Sequence, residues 1–274
     1  MMILSLSQVC TLHANFEQDV KDFAGSGCAA MEIWLTKLET YLESHTYPQA
    51  VELLNEHGVQ VPVASFQGGL LASQGEQRRE HWQHWQRRLE MCRQLEIGTI
   101  VVACDVPAPL ASADLQRVQV SLSQLGQDAE RFGVRAAIEF QASSAFGNNL
   151  QTMAALVEKV QNKHVGICLD AYHFFVGPSK LSDLACLNQT NLFHVQLSDL
   201  ADIPRELATD SDRVLPGDGD IPLSQIIQRL RDIDYQCTVS VELMNPQIWQ
   251  VPPRQFSEIG FAALQKVIES SEGS

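Results

Sequence analysis

Four carboxylate or amide side chains each lie at the end of a short apolar segment in the second half of the chain. They are Glu139, Asp170, Gln196 and Glu242. Apolar segments of this length with β-branched residues are typical of buried strands. An ionised carboxylate is costly to bury unless it is paired or binds a metal. The repeated position at successive strand ends therefore predicts that these four side chains surround one divalent cation.

The predicted ligands are oxygen donors without a thiolate. Such a set favours Mn²⁺ or Mg²⁺ and leaves Zn²⁺ or Co²⁺ open. Glu139 and Glu242, on opposite sides of a bound sugar, could act as general base and general acid. The metal would polarise a carbonyl and hold an enediolate.

Two polar residues near these segments fit a sugar site. His173 follows Asp170 by three residues and could form a hydrogen bond with a substrate hydroxyl. Arg213 precedes the glycine-rich loop 215–220, where it could hold a hydroxyl, a carboxylate or a phosphate. We expect both side chains at the mouth of the site.

Other side chains near strand ends complete the predicted site. Trp34 and Trp249 could form apolar walls against a sugar ring, and Glu32 could contact a distal hydroxyl. Asp199 is expected either to support the metal ligands from behind or to cap a loop. His194 lies one pleat deeper than Gln196 on the same strand face, which indicates a buried histidine behind the ligands.

The elements that position these residues alternate between strand and helix. Strands are predicted at 3–6, 30–34, 59–66 and 99–104, and four more end at Glu139, Asp170, near Gln196 and at Glu242. Helices are predicted at 16–23, 76–95, 115–132, 150–160, 181–187, 223–230 and 256–268. This alternation predicts a single-domain (β/α)8 barrel over residues 1–274. A doubly wound open sheet is the alternative, but no G-x-G-x-x-G follows the first strand.

Composition narrows the functional classes. The chain has 274 residues, of which 45% are hydrophobic, and a formal net charge of −14. That charge would repel phosphate backbones, so nucleic-acid binding is not expected. The N-terminus lacks the pattern of a signal peptide, and no apolar segment is long enough to span a membrane. Seven scattered cysteines without a CxxC pair indicate a reducing compartment, and we expect a cytoplasmic protein.

Together, five motifs in order resemble the xylose isomerase-like barrel superfamily, in the sugar phosphate isomerase/epimerase branch. The resemblance covers nearly the whole chain. The motifs are Ile138-Glu139, 169–173 (LDAYH), 195–199 (VQLSD), Arg213 with 216–222 (PGDGDIP), and Val241-Glu242. Each motif is weak alone, but the five together and in order, each at a strand end, are specific.

The resemblance implies a metal held by glutamate, aspartate, histidine and glutamate from strands five to eight. Carried over, these positions are Glu139, Asp170, Gln196 and Glu242, so an amide replaces the histidine. A glutamine carbonyl can bind Mg²⁺ or Mn²⁺ but is a poorer ligand for Zn²⁺. His194, two residues earlier, is the alternative donor.

The resulting prediction is an isomerase or epimerase of a small sugar or keto-polyol, with proton transfer between Glu139 and Glu242 through a metal-bound enediolate. The first alternative is a lyase of the same superfamily, a 3-dehydroshikimate or inosose dehydratase, which some relatives with glutamine at the seventh strand resemble. An endonuclease-IV-like phosphodiesterase lacks its further histidine ligands here, and a non-catalytic barrel is the last alternative. Because Arg213 is the one evident phosphate partner, an unphosphorylated carbohydrate-like substrate is favoured. Homo-oligomer formation is left open.

Overall fold

Eight parallel strands close into a barrel, and helices cover its outer surface. The computed structural model describes residues 1–270. The barrel strands are β1 (Ile3–Ser7), β2 (Ala30–Trp34), β3 (Gln60–Gln67), β4 (Thr99–Cys104), β5 (Arg135–Phe140), β6 (Val165–Asp170), β7 (Leu192–Leu197) and, after a short ribbon, β10 (Thr238–Val241). Neighbours in the ring follow chain order, and β10 closes the barrel against β1. The predicted single-domain (β/α)8 barrel is confirmed.

The described part of the chain has nine α-helices, of which the last follows the final strand. They are α1 (Phe16–Gly25), α2 (Leu35–Leu42), α3 (Tyr47–His57), α4 (Gly75–Gln94), α5 (Ser112–Phe132), α6 (Leu150–Val160), α7 (Ala171–Val176), α8 (Leu223–Asp232) and α9 (Pro253–Ser270). Helix α1 begins where the Asn15 side chain accepts from the Gln18 N–H at 2.9 Å. Helix α3 ends at Gly58, whose φ of 67° is left-handed and suits glycine.

Two segments after β6 differ from the sequence prediction. The helix predicted at 181–187 is a 3₁₀-helix, Leu181–Cys186. Helix α7 was not predicted, because six consecutive residues without a polar face show no helical period. The fold forms α7 because the Asp170 side chain accepts from the His173 N–H at 3.0 Å and caps its first turn.

Apolar side chains form two layers. The large core lies between the barrel and its helices, with Phe16, Phe23, Trp85 and Phe256 fully buried in it. A small cluster fills the inside of the barrel: Val63, Val101, Ala137, Cys168 and Phe193. Because strand side chains repeat every two residues, Glu139 and Asp170 lie one pleat above Ala137 and Cys168 of this cluster. The barrel is therefore closed below and polar at its mouth.

A two-stranded antiparallel ribbon lies over the mouth. It pairs β8 (Asp199–Leu200) with β9 (Arg213–Val214). Between them, the chain leaves the barrel and returns, which brings Arg213 back above the strand ends. Among residues 1–270, no helix combines the length and hydropathy needed to cross a bilayer.

Candidate active site

The strand register brings the four predicted ligands to one edge of the barrel. Asp170 on β6 pairs with Gln196 on β7, and Gln196 pairs with Ser240, two residues before Glu242. Glu139 on β5 lies beside β6. All four side chains are buried, and Glu139, Gln196 and Glu242 line one cavity. The structure therefore brings the predicted residues together.

Arg213 lies among these carboxylates. Its Nη1 donates to Asp170 Oδ2 at 2.7 Å and to Glu242 Oε2 at 3.2 Å. Its Nε and Nη2 both donate to Asp210 Oδ1, and its guanidinium lies 4.3 Å from the centroid of the Tyr172 ring. Although burial opposes its charge, the Asp170, Glu242 and Asp210 carboxylates raise the pKa of Arg213. Arg213 therefore stays charged, and most of its donors are directed at protein carboxylates.

The Gln196 side chain makes hydrogen bonds at both ends of its amide. Its Nε2 donates to Glu242 Oε1 at 2.8 Å and to Glu32 Oε1 at 2.9 Å. Its carbonyl accepts from the Cys168 thiol at 3.1 Å. The amide oxygen therefore faces the Cys168 thiol inside the barrel, because the two carboxylates accept from the amide N–H groups on the other side. That Gln196 binds a metal stays a prediction.

Glu32 lies deeper in the barrel than its expected role requires. It was predicted to contact a distal substrate hydroxyl, but its side chain is fully buried below Gln196. Its Oε2 lies 2.9 Å from His194 Nε2. Burial opposes ionisation, yet the charge and hydrogen bond of His194 lower the pKa of Glu32. His194, whose Nδ1 faces the Thr238 carbonyl, therefore supports Glu32 from behind the site, as its sequence position indicated.

Glu139 and His173 have fewer partners. Among residues 1–270, the Glu139 carboxylate accepts one hydrogen bond, from Gln141 Nε2 at 3.3 Å. The buried Nδ1 of His173 has no hydrogen-bond partner among the same residues. Glu139, Asp170 and His173 each offer one ligand atom, and these atoms lie within 4.8 Å of one another. This trio could hold a divalent metal.

The buried carboxylates of Glu139, Asp170 and Glu242 have pKa values shifted in different directions. Burial first, and then the charge of Asp170, raise the pKa of Glu139 to about 8. Burial raises the pKa of Glu242 well above its usual value, with Arg213 opposing and Glu139 adding to the shift. Asp170 is also buried, but the charges of Arg213 and His173 and their hydrogen bonds lower its pKa to about 2. Burial thus favours the protonated form of both glutamates, whereas Asp170 stays ionised.

The cavity above these groups has a volume of about 230 Å³. Trp34 and Trp249 line it, where the sequence placed apolar walls. The Trp249 indole N–H donates to the Val9 carbonyl at 2.8 Å, which fixes the ring. Phe66 and Met244 also line the cavity. The pocket has an acidic floor and apolar walls, and it is small.

The Asp199 side chain forms hydrogen bonds with the backbone of a loop. Its carboxylate accepts from the backbone N–H groups of Leu200, Gly217 and Ile221 at 2.8–3.0 Å. A Cβ at Gly219 would meet the Leu200 carbonyl oxygen at 2.4 Å. Of the two roles expected for Asp199, these contacts show the loop cap. Its hydrogen bonds hold the segment after β9 and make no direct contribution to the ligands.

Sequence reasoning missed Asp210, Cys168 and Gln141 as site residues. Asp210 precedes Arg213 by three residues, and this i,i+3 spacing was an available signal for an ion pair. Cys168 precedes Asp170 by two, so it shares the inner strand face. Gln141 lies past the end of β5, where no local pattern indicates its direction.

Comparisons with known proteins agree with this architecture. The family model of the xylose isomerase-like TIM barrel matches residues 20–267. An inosose isomerase of Halalkalibacterium halodurans is 28% identical over 256 residues, 91% of this chain and 90% of that protein. A 3-dehydroshikimate dehydratase of Pseudomonas putida is 22% identical over 93% of this chain and 40% of its own length.

Among solved structures, the IOLI protein with a bound zinc atom matches with a TM-score of 0.92. Its sequence is 23% identical to this chain, and the match covers 100% of both chains. At this identity the likeness concerns the fold. With the family model matching residues 20–267, the chain belongs to the xylose isomerase-like TIM barrel family.

Proposed function

We propose that this protein is an isomerase of a small keto-polyol, of the inosose class, that moves a proton beside a carbonyl. The observation that carries the proposal is the pair of buried glutamates, Glu139 and Glu242, on one cavity with raised pKa values. Their strands are separated by β6 and β7, so the glutamates flank the site. The similarity to an inosose isomerase over 91% of the chain supports the substrate class.

The two glutamates divide the proton transfer. One carboxylate removes the proton from the hydroxyl-bearing carbon beside the carbonyl, which leaves an enediolate. The proton of the neighbouring hydroxyl passes to the former carbonyl oxygen, so that the negative charge moves to the neighbouring oxygen. The other glutamate, in its acid form, returns a proton to the former carbonyl carbon, and the carbonyl moves to its neighbour. A pKa near the working pH serves both directions, since each group must gain and lose a proton. In the metal-free protein, burial raises the pKa of Glu139 to about 8.

The donor chemistry of the site fits a divalent metal. Four buried carboxylates, those of Glu32, Glu139, Asp170 and Glu242, lie around the guanidinium of Arg213, which contacts Asp170 and Glu242. Glu139, Asp170 and His173 offer ligand atoms within 4.8 Å of one another, and the IOLI protein binds zinc. When bound, the metal would supply positive charge beside the substrate carbonyl.

Charge favours a neutral substrate. Arg213 is the one Lys or Arg among the residues that line the cavity in the described chain, and protein carboxylates accept four hydrogen bonds from it. A phosphate or carboxylate would therefore find no lysine or arginine free to pair with it among these lining residues. The walls of Trp34 and Trp249 suit the apolar face of a six-membered ring. An uncharged keto-polyol therefore fits better than 3-dehydroshikimate, which carries a carboxylate.

A hydro-lyase acting on the same keto-polyol is the second candidate. The P. putida dehydratase is similar over 93% of this chain. A buried Glu242 with a raised pKa could also protonate a leaving hydroxyl. The two reactions share proton removal and differ in whether a hydroxyl leaves the next carbon.

Proton exchange followed by NMR in D₂O tests the proposal. The protein is incubated with Mn²⁺, Mg²⁺ or Zn²⁺ and a panel of inososes, ketoses and 3-dehydroshikimate. We expect deuterium beside the carbonyl of an inosose with its hydroxyls retained, and no exchange with Glu139→Gln. Glu130→Gln, at an exposed position, is the matched control. Loss of water would identify the lyase, and absence of exchange on every compound would overturn both.

A further inference from the structure

A partly exposed aromatic side chain lies at the edge of the cavity. Phe66, one residue before the end of β3, lines the cavity together with Trp34 at the end of β2. It is 45% exposed, more than any other phenylalanine among residues 1–270. An apolar ring that stays open to water at the wall of a cavity is stabilised when a ligand covers it. Phe66 is therefore placed to contact the ring of a bound substrate.

Arg88 of α4 holds the backbone that carries this ring. Its Nη1 donates to the Phe66 carbonyl at 2.7 Å and to Gln67 Oε1 at 3.3 Å. Arg88 is buried, but it belongs to an outer helix and does not line the cavity. Because side chains occupy a few staggered rotamers, fixing the backbone of Phe66 restricts where its ring can lie. Arg88 can therefore influence the cavity without touching it.

Glu39 of α2 fixes the Arg88 guanidinium in turn. Arg88 Nε and Nη2 donate to Glu39 Oε1 and Oε2, both at 2.9 Å. Two parallel hydrogen bonds of this kind fix the orientation of a guanidinium as well as its position. His84, one turn before Arg88, adds a contact of 2.7 Å between its Nε2 and Glu39 Oε1. The pairing with Glu39 thus leaves Nη1 directed at the end of β3.

Other side chains hold the loop that follows β3. The Gly69 carbonyl oxygen lies 2.8 Å from His81 Nδ1, and the Gly69 N–H donates to Asp105 Oδ2 at 2.7 Å. These contacts do not involve Arg88. Losing the Arg88 guanidinium would therefore release the Phe66 segment while the following loop keeps its own hydrogen bonds.

We propose that Arg88 and Glu39 form a positioning pair that holds Phe66 against the ring of the bound substrate. The pair acts from the outer helices, since neither residue lines the cavity. The inference rests on the proposed function for its class of substrate, a six-membered keto-polyol. It assigns to the pair an effect on substrate affinity that passes through Phe66, whereas Glu139 and Glu242 transfer the proton.

A double-mutant cycle of Phe66→Ala and Arg88→Met tests the positioning pair. All proteins in the cycle also carry Glu139→Gln, so that the ligand is bound but not converted, and are supplied with Mn²⁺. Calorimetry gives the dissociation constants of the same panel of inososes, ketoses and 3-dehydroshikimate. For the tightest-binding inosose, we expect a rise of about 10-fold in Phe66→Ala, about 5-fold in Arg88→Met and again about 10-fold in the double variant, because both changes remove the same contact.

Arg93→Met is the matched control, since Arg93 lies on the same helix and forms an exposed pair with Glu90 away from the cavity. It should leave the dissociation constant unchanged. A rise of about 50-fold in the double variant would show that Arg88 acts independently of Phe66, and this result overturns the proposal. An unchanged constant in Arg88→Met overturns it as well. If Arg88→Met does not fold by circular dichroism, Glu39→Ala takes its place in the cycle.

Rates of proton exchange separate this inference from the proposed function. In proteins that retain Glu139, Arg88→Met should raise KM by about 5-fold and keep kcat within about two-fold, because it weakens substrate binding rather than proton transfer. A lower kcat with an unchanged KM would contradict the positioning role. Non-additive binding without proton exchange would remove the proposed function and leave the positioning pair standing. If no compound of the panel binds, both proposals fall.

Discussion

The two glutamates at the barrel mouth are equally buried but differently supported. Glu242 accepts from an arginine and an amide, and that amide is itself held by Glu32. Glu139 has Gln141 as its hydrogen-bond partner in the described chain, at 3.3 Å. Burial nevertheless raises the pKa of both. The difference indicates that the Glu242 side is preorganised by the protein, whereas the Glu139 side retains capacity for a cation and substrate.

Neutral amides at the two positions give the largest expected effect. In both Glu139→Gln and Glu242→Gln, we expect proton exchange to fall by about 10³-fold, since general acid–base groups contribute about 10²–10⁴-fold. The two variants should differ in their free energy of unfolding. In Glu242→Gln, the new amide nitrogen must face a donor, either Gln196 or Arg213. We therefore expect this substitution to lower the free energy of unfolding by about 1–3 kcal/mol. Glu139→Gln should leave the metal-free protein as stable or more stable.

Rates by NMR and urea denaturation of the metal-free proteins measure this divergence, with Glu130→Gln as the exposed control. Equal destabilisation by the two substitutions would remove the distinction between the two sides.

Removing the Arg213 guanidinium from between Asp170 and Glu242 should have the next largest effect, a loss of folding stability. Arg213→Met keeps much of the side-chain volume but leaves Asp170 and Glu242 without their shared partner. Breaking a buried pair in this way costs about 3–5 kcal/mol, which urea denaturation measures. The control is Arg205→Met, whose exposed pair with Glu206 should contribute about 0–1 kcal/mol. If both variants lose the same small amount, Arg213 does not stabilise the Glu242 side.

The metal-free protein should lose stability as the pH rises. The folded-state pKa of Glu139 is raised from 4.5 to about 8, so its contribution is fully present below pH 4.5 and is lost as the pH rises through about 8. Between pH 5 and 8.5 in EDTA, we expect the Tm of the wild type to fall by roughly 5 °C more than that of Glu139→Gln. Parallel Tm profiles for the two proteins would contradict the raised pKa.

Most of the fold was readable from local patterns. Alternating strand and helix periods place the eight barrel strands within a residue or two of their observed positions, for example 99–104 and 30–34. These patterns did not predict elements in segments where apolar residues show neither the helical nor the strand period. Helix α7 depends on a cap from Asp170, and the ribbon of Asp199–Leu200 with Arg213–Val214 depends on pairing across a long loop.

The candidate site was partly readable for a similar reason. A polar residue that ends an apolar strand is visible in sequence, which identified Glu139, Asp170, Gln196 and Glu242. Partners from distant elements are not visible. Glu32 lies 164 positions from Gln196, so no spacing rule could show that its carboxylate holds the amide. The position of Glu32 differs from the expected one for this reason.

The sequence by itself determined the strand ends, and through them which carboxylates meet at the barrel mouth. That outcome follows from the two-residue period of strands and from the common direction of parallel strands. Only the tertiary structure decided what each side chain faces there. The direction of the Gln196 amide, the Arg213 bridge and the unpartnered His173 nitrogen arise from groups far apart in the chain. Hydrogen bonds act over a few ångströms, so the closed barrel alone selects them.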